Sequence, residues 1–254
     1  MIYSSSCSTK IASFTPRLTG IRVITLGEGA IRLKIEKQWE ELPPHFKLTA
    51  SLTSLPHLHP FSRDFLAGTH LDYLHIHLLL GLVSSARSTT TTTSPDPSLL
   101  STAGEMLSLA VEAIILRQNL VNSGTSLVAQ YGLPAAGVTS LALLNPSTSA
   151  AIAPVTRSRM VQDLSVLVAE MRAGVLIKAG EPNFALFTRA TRTIQSLLDS
   201  LMVWRPDPDA NADLLGCTAD FLEGWQTQGG FEPWEFEQGF WEGLAGHPTL
   251  VQER

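Results

Sequence analysis

Five of the seven histidines fall between positions 57 and 77. Imidazole is the side chain best suited to bind a metal ion or move a proton near neutral pH. The five form two His-x-His pairs, His57 with His59 and His75 with His77, with His70 between them. On a helix, residues two apart point about 200° from each other, so His75 and His77 cannot grip one ion from a common face. His70 and His77, two turns apart, can share a face. A zinc-hydrolase helix would carry His-Glu-x-x-His, and that pattern does not occur. These histidines therefore read as helix-surface and packing residues, and no metal ligand is assigned. The acidic stretch Asp207, Asp209, Asp213 has the look of a calcium loop but fails its geometry. With Asp207 first, Ala212 stands where a calcium loop needs glycine and Thr218 where it needs glutamate. No Gly-x-Ser-x-Gly, phosphate-binding loop or dinucleotide fingerprint is present. No catalytic residue and no cofactor are assigned, and the chain is read as not an enzyme.

A second constellation lies at the C-terminus. From Gln195 onward there are eleven acidic residues against the two basic ones, Arg205 and Arg254. Trp225, Phe231, Trp234, Phe236, Phe240 and Trp241 are interleaved with those acids. Acids keep such rings soluble, and the rings supply burial when a partner groove is met. These six are the candidate partner-binding residues. The competing reading is a packed pair of helices with the rings inside and the acids in water.

The elements that position these groups read as helices. Apolar residues recur at helical spacing in Asp64 to Ser84, with Asp64 as the expected N-cap and Phe65, Leu66, Leu71, Leu74, Leu78 and Val83 on the buried face. Ser101 to Asn122 follows, carrying Met106, Leu109, Ala113 and Leu116. Ser126 to Leu144 is apolar, with Pro134 expected to kink it and Asn145-Pro146 to stop it. Residues 147–156 read as a loop of small residues. Arg157 to Leu176 places Met160, Leu164, Leu167, Val168 and Met171 at spacings of three and four. Gly180-Glu181-Pro182-Asn183 is the turn into a last strong helix, Asn183 to Val203. A low-complexity linker, residues 86–98, separates the first two of these helices. No strand-helix alternation occurs, so a parallel sheet is not expected. The expected fold is all-α, an irregular bundle or array of about seven or eight helices with long loops. Residues 1–35 read as a poorly ordered or truncated leader, 36–204 as the helical domain, and 205–254 as the acidic aromatic segment.

Bulk properties narrow the function. Charged residues are 16% of the chain and the net charge is -5. That is below the usual share of about 25% and supplies no basic field for nucleic-acid phosphates. No direct nucleic-acid contact is expected. Cys7 and Cys217 are the only cysteines, too few and too distant for a cysteine zinc module. No uncharged apolar run is long enough to span a bilayer, so no membrane partner is expected.

Several segments, in order, resemble the regulatory region of fungal binuclear-zinc-cluster transcription factors. Gln38 to Phe46 (QWEELPPHF) is similar to the family's recurrent Trp-x-x-Leu-Pro segment. HLDYLHIHLLLGL from His70, GEMLSLAVEAIILRQNL from Gly104 and VAQYGLPAAGVTSLALL from Val128 resemble its successive helices. QDLSVLVAEMRAGV from Gln162, and GEPNFALFTRATRTIQSLLDSLM from Gly180, resemble its last block. The resemblance covers roughly residues 36–225. It departs from the family at Ser84-Ser85, where Arg-Pro is usual, and at the turn, where Gly-Asn-Tyr is common. The resemblance implies a helical regulatory domain located in the nucleus. It would act through protein contacts with the transcription machinery or a second regulator chain. The family's zinc cluster needs six cysteines, so its DNA-binding role transfers to no residue here. The alternative is an all-α small-molecule-binding protein or enzyme with an apolar pocket between helices.

Overall fold

The computed structural model describes residues 27–55, 57–87, 96–116, 124–174, 176–181 and 183–203, with Trp241 and Leu244. Among these residues the chain is all-α, with no strand. It divides into two compact units, residues 1–41 and 42–254.

In the first unit, α1 spans Glu28–Glu41. It begins well before Glu36, so residues 28–35 are helix rather than leader. Its charges are largely in water, and the Lys37–Glu41 pair at 3.8 Å is exposed on both sides. Such a pair adds little stability.

In the second unit the helices are α2 (Pro60–Arg87), α3 (Pro97–Ile115), α4 (Gly124–Leu127), α5 (Leu133–Leu144), α6 (Pro146–Ala151), α7 (Pro154–Arg172) and α8 (Phe184–Val203). Four of them, α2, α3, α6 and α7, open on proline. At the first helical position proline loses nothing, because that N–H has no partner in the helix anyway, and its φ is already helical. Three of these starts are sealed by a side chain. His59 Nδ1 accepts from Phe61 N–H at 3.2 Å, Asp96 Oδ1 from Ser98 N–H at 3.0 Å, and Asn145 Oδ1 from Thr148 N–H at 3.2 Å. The expected starts at Asp64, Ser101 and Arg157 are thereby corrected to Pro60, Pro97 and Pro154. Asp64 is buried inside α2 rather than capping it. The expected loop at 147–156 contains α6 and the first turn of α7.

Pro134 acts differently. A widened π turn, Val128–Gly132, stands immediately ahead of it between α4 and α5. Proline cannot donate to the carbonyl four residues back and its ring crowds that carbonyl, so the helix relaxes into a wider turn. Where Pro134 is expected to kink the helix, the structure shows this π turn.

The core is built around α3. Leu99, Ala103, Met106, Leu107, Ala110 and Ile114 are all buried, and α2, α5 and α7 pack around it. A helix apolar on most sides must be enclosed. By length and composition alone α3 is apolar enough to cross a membrane. Here it is the central core helix. At Gly81 of α2 the Leu99 side chain of α3 fills the space a side chain would need: a Cβ there would meet Leu99 Cδ1 at 2.9 Å. Of the apolar residues expected on α2, Leu71, Leu74 and Leu78 are buried, Phe65 and Leu66 partly so, and Val83 is exposed.

On α7, Met160, Leu164, Leu167, Val168 and Met171 are all buried, as their spacing requires. The helix stops at Arg172 rather than Leu176, because Gly174 adopts φ +68°, a left-handed conformation that suits glycine at a helix end. Leu176 and Ile177 then return to the core. Gly180 (φ +91°) and Asn183 (φ 79°) make the turn into α8. There Leu186, Phe187, Ala190, Ile194, Leu197 and Leu198 are buried against α7 and α5.

Candidate functional site

Helix α2 carries His70, Asp72, Tyr73, His75 and His77 within eight residues, and it hands them to different neighbours. His70 Nε2 meets Glu105 Oε1 of α3 at 3.2 Å. That hydrogen bond holds the Glu105 carboxyl below its ordinary range. One turn on, Tyr73 meets the ring of His77 edge-on at 4.6 Å. Asp72 points elsewhere: its Oδ1 accepts from Tyr131 Oη of the π turn at 2.6 Å. The Tyr131 ring also receives His75 edge-on, with centroids 5.5 Å apart and planes at 87°. Burial, and then the carboxylate beside it, push the Tyr131 phenol well above its usual range. Burial lowers His75, with Asp72 opposing.

Two further carboxylates on or beside α3 make long-range ties. Glu112 Oε2 accepts from Ser51 Oγ at 2.8 Å and from Leu52 N–H at 2.9 Å. It thus pins the short turn Leu52–Ser54 and its fully buried Leu52 to α3. Asp163 of α7 accepts from Ser108 Oγ of α3. Burial pushes the Asp163 carboxyl up, while Ser108 and Arg159, whose Nε lies 3.9 Å away, pull it down. Beside Asp163 a shallow open groove runs along the start of α7, lined by Pro154, Val155, Ser158, Arg159 and Gln162.

The chemistry of this arrangement is architectural. Each of these carboxylates, partly buried at Asp72, Glu112 and Asp163 and exposed at Glu105, accepts a hydrogen bond from a hydroxyl, amide or imidazole of another element, so the polar groups help fix how the elements register on one another. Among the described residues no three of His, Cys, Asp and Glu converge as a ligand set. His57 is exposed, and His59 is the α2 cap. Of the tail aromatics, Trp225, Phe231, Trp234, Phe236 and Phe240 lie outside the described residues, as do Cys7, Cys217 and the acidic stretch from Asp207. Trp241 is placed. Its indole is 1% exposed and belongs to the main core together with Leu244. Expected as a partner-binding group, Trp241 is corrected to a core residue, because a ring this enclosed presents no surface to a partner.

Sequence spacing missed Tyr131, Glu105, Glu112, Ser108 and Asp163. The available signal was polarity within apolar helices: two glutamates inside α3, and Asp163 three residues beyond Met160 on the buried side of α7. No protein-family model, curated protein or solved structure matches this chain.

Proposed function

We propose that this chain is the body of a fungal-type transcriptional regulator that acts in the nucleus through protein contacts and not by catalysis. Its residues do not include a DNA-reading zinc module. The observation that carries the reading is the order of the family-like segments along the helices. The HLDYLHIHLLLGL stretch lies in α2, GEML in α3, VAQYG in the π turn and QDLS in α7. TIQSLLD lies in α8, after a turn with left-handed Gly180 and Asn183. The polar ties between α2, α3, the π turn and α7 support it further, since they serve helix registration rather than a convergent reactive centre. The partners in this reading are components of the transcription machinery or a second regulator chain. Their contacts would come from solvent-facing helix surfaces and the acidic aromatic segment.

The test for that segment is direct. Residues 195–254 fused to a heterologous DNA-binding domain should raise reporter transcription above the bare domain. Output equal to the bare domain would remove the recruitment role and leave the segment a packing role alone.

A further inference from the structure

We propose that His75 is a proton-controlled latch between α2 and the π turn: on taking up a proton it draws Asp72 away from Tyr131 and frees the turn. The latch adds a regulatory device that the proposed function does not require, and it stands or falls independently of that function.

The geometry brings three groups together. His75 and Asp72 are one helical turn apart on α2, so they lie on the same face. Tyr131 reaches that face from the π turn, donating to Asp72 at 2.6 Å while its ring takes the edge contact with His75. The π turn is a weak point in its own helix. Pro134 offers no N–H to it, and such widened turns are frequent at functional sites. The phenol–carboxylate bond is therefore a principal polar tie from this turn to α2.

A neutral imidazole suits the site, because burial disfavours its charged form. Once protonated, His75 becomes a cation one turn from a carboxylate whose present partner is a neutral phenol. The phenol–carboxylate bond is already charge-assisted on the acceptor side, but an imidazolium adds a full opposite charge to the attraction, so Asp72 turns from Tyr131 to His75. The proton comes from solvent, and no bond other than the imidazole N–H is made. The other charged groups on the packed elements are engaged elsewhere. On α3, Glu105 is held by His70, and Glu112 by Ser51 and Leu52. His45, on the short turn that packs against α2, lies against Phe46, whose ring meets Phe65 about three turns from His75.

The sign follows from linkage. Burial holds His75 below the ordinary imidazole range in the folded chain, so the open state binds the proton first as pH falls. The latch is fully closed above about pH 6.5, the ordinary imidazole value, and opens as pH drops below it.

The test is amide hydrogen exchange of the full chain, read as protection of residues 128–132 between about pH 7.5 and about pH 5. Wild type should lose protection on acidification, approaching roughly tenfold per pH unit once His75 begins to charge. His75→Phe should hold its protection over the same range. Tyr131→Phe should show low protection at both ends. Equal loss in wild type and His75→Phe, or full retention in wild type, would overturn the proposal. If His75→Phe does not fold, His75→Gln takes its place, and the wild-type imidazole is titrated by NMR. A folded-state midpoint at or above the ordinary imidazole value would equally overturn it.

Discussion

Replacing Trp241 with alanine should lower the stability of the chain by about 3–5 kcal/mol, the usual loss for deleting a buried large aromatic. For a chain of this size that is a fall in melting temperature on the order of 10 °C. The expectation rests on burial: the indole is 1% exposed and sits in one continuous core with residues of α2, α3, α5, α7 and α8. Tryptophan brings more apolar area than any other side chain, and a cavity of that size cannot collapse fully. Val155→Ala is the control, since Val155 is 83% exposed and its loss should stay within about 0.5 kcal/mol. Thermal melts of the three proteins give the answer. A melting temperature for Trp241→Ala equal to that of the control would return the ring to the surface and to the set of partner-binding candidates.

Phe187→Ala should be comparably damaging, again by about 3–5 kcal/mol. Phe187 lies in the first turn of α8, is 2% exposed, and faces the seam where α8 meets α7 and α5. Thr191, one turn on, donates to the Phe187 carbonyl at 2.6 Å and its hydroxyl lies 3.7 Å from Met171 Sδ of α7. Urea unfolding should show a lower midpoint with an unchanged slope, the mark of a native-state cavity rather than a changed unfolded state. A loss below about 1 kcal/mol would mean that the α7–α8 pair is not packed as described.

The α7–α8 pair is where sequence and structure agree best, for a physical reason. Apolar residues at spacings of three and four can be buried together only on a helix, so every core position expected on α7 is buried. Helix starts were less legible because proline has two opposite meanings. Inside a helix it breaks the ladder; at the first position it begins one. Pro60, Pro97, Pro146 and Pro154 all take the second meaning. Taking Asn145-Pro146 only as a stop hid α6, and the expected starts of α2, α3 and α7 fell later in the chain than these prolines. Val83 follows the helical spacing of α2 yet is exposed, since spacing says which face a residue is on and not where its neighbour ends. The polar ties were not legible at all. Asp72 with Tyr131, or Ser108 with Asp163, are residues more than fifty positions apart, and only the packing of their helices brings them together.

The histidine cluster shows the same divide. His75 and His77 do lie on different faces: His75 meets Tyr131 of the π turn while His77 meets Tyr73 of its own helix. What each imidazole touches instead was set by the tertiary arrangement, which placed Glu105 beside His70 and left His59 to cap α2.

We propose above that this chain regulates transcription by contact. The most direct test of that proposal is to tether the full chain to a heterologous DNA-binding domain in a fungal cell and measure transcription of a reporter bearing that domain's sites. The account predicts output that departs from the bare domain, upward for an activator or downward for a repressor. It also predicts that Phe187→Ala, which disrupts the helical body, returns the output to that of the bare domain. A full-length, folded fusion whose output matches the bare domain would contradict it.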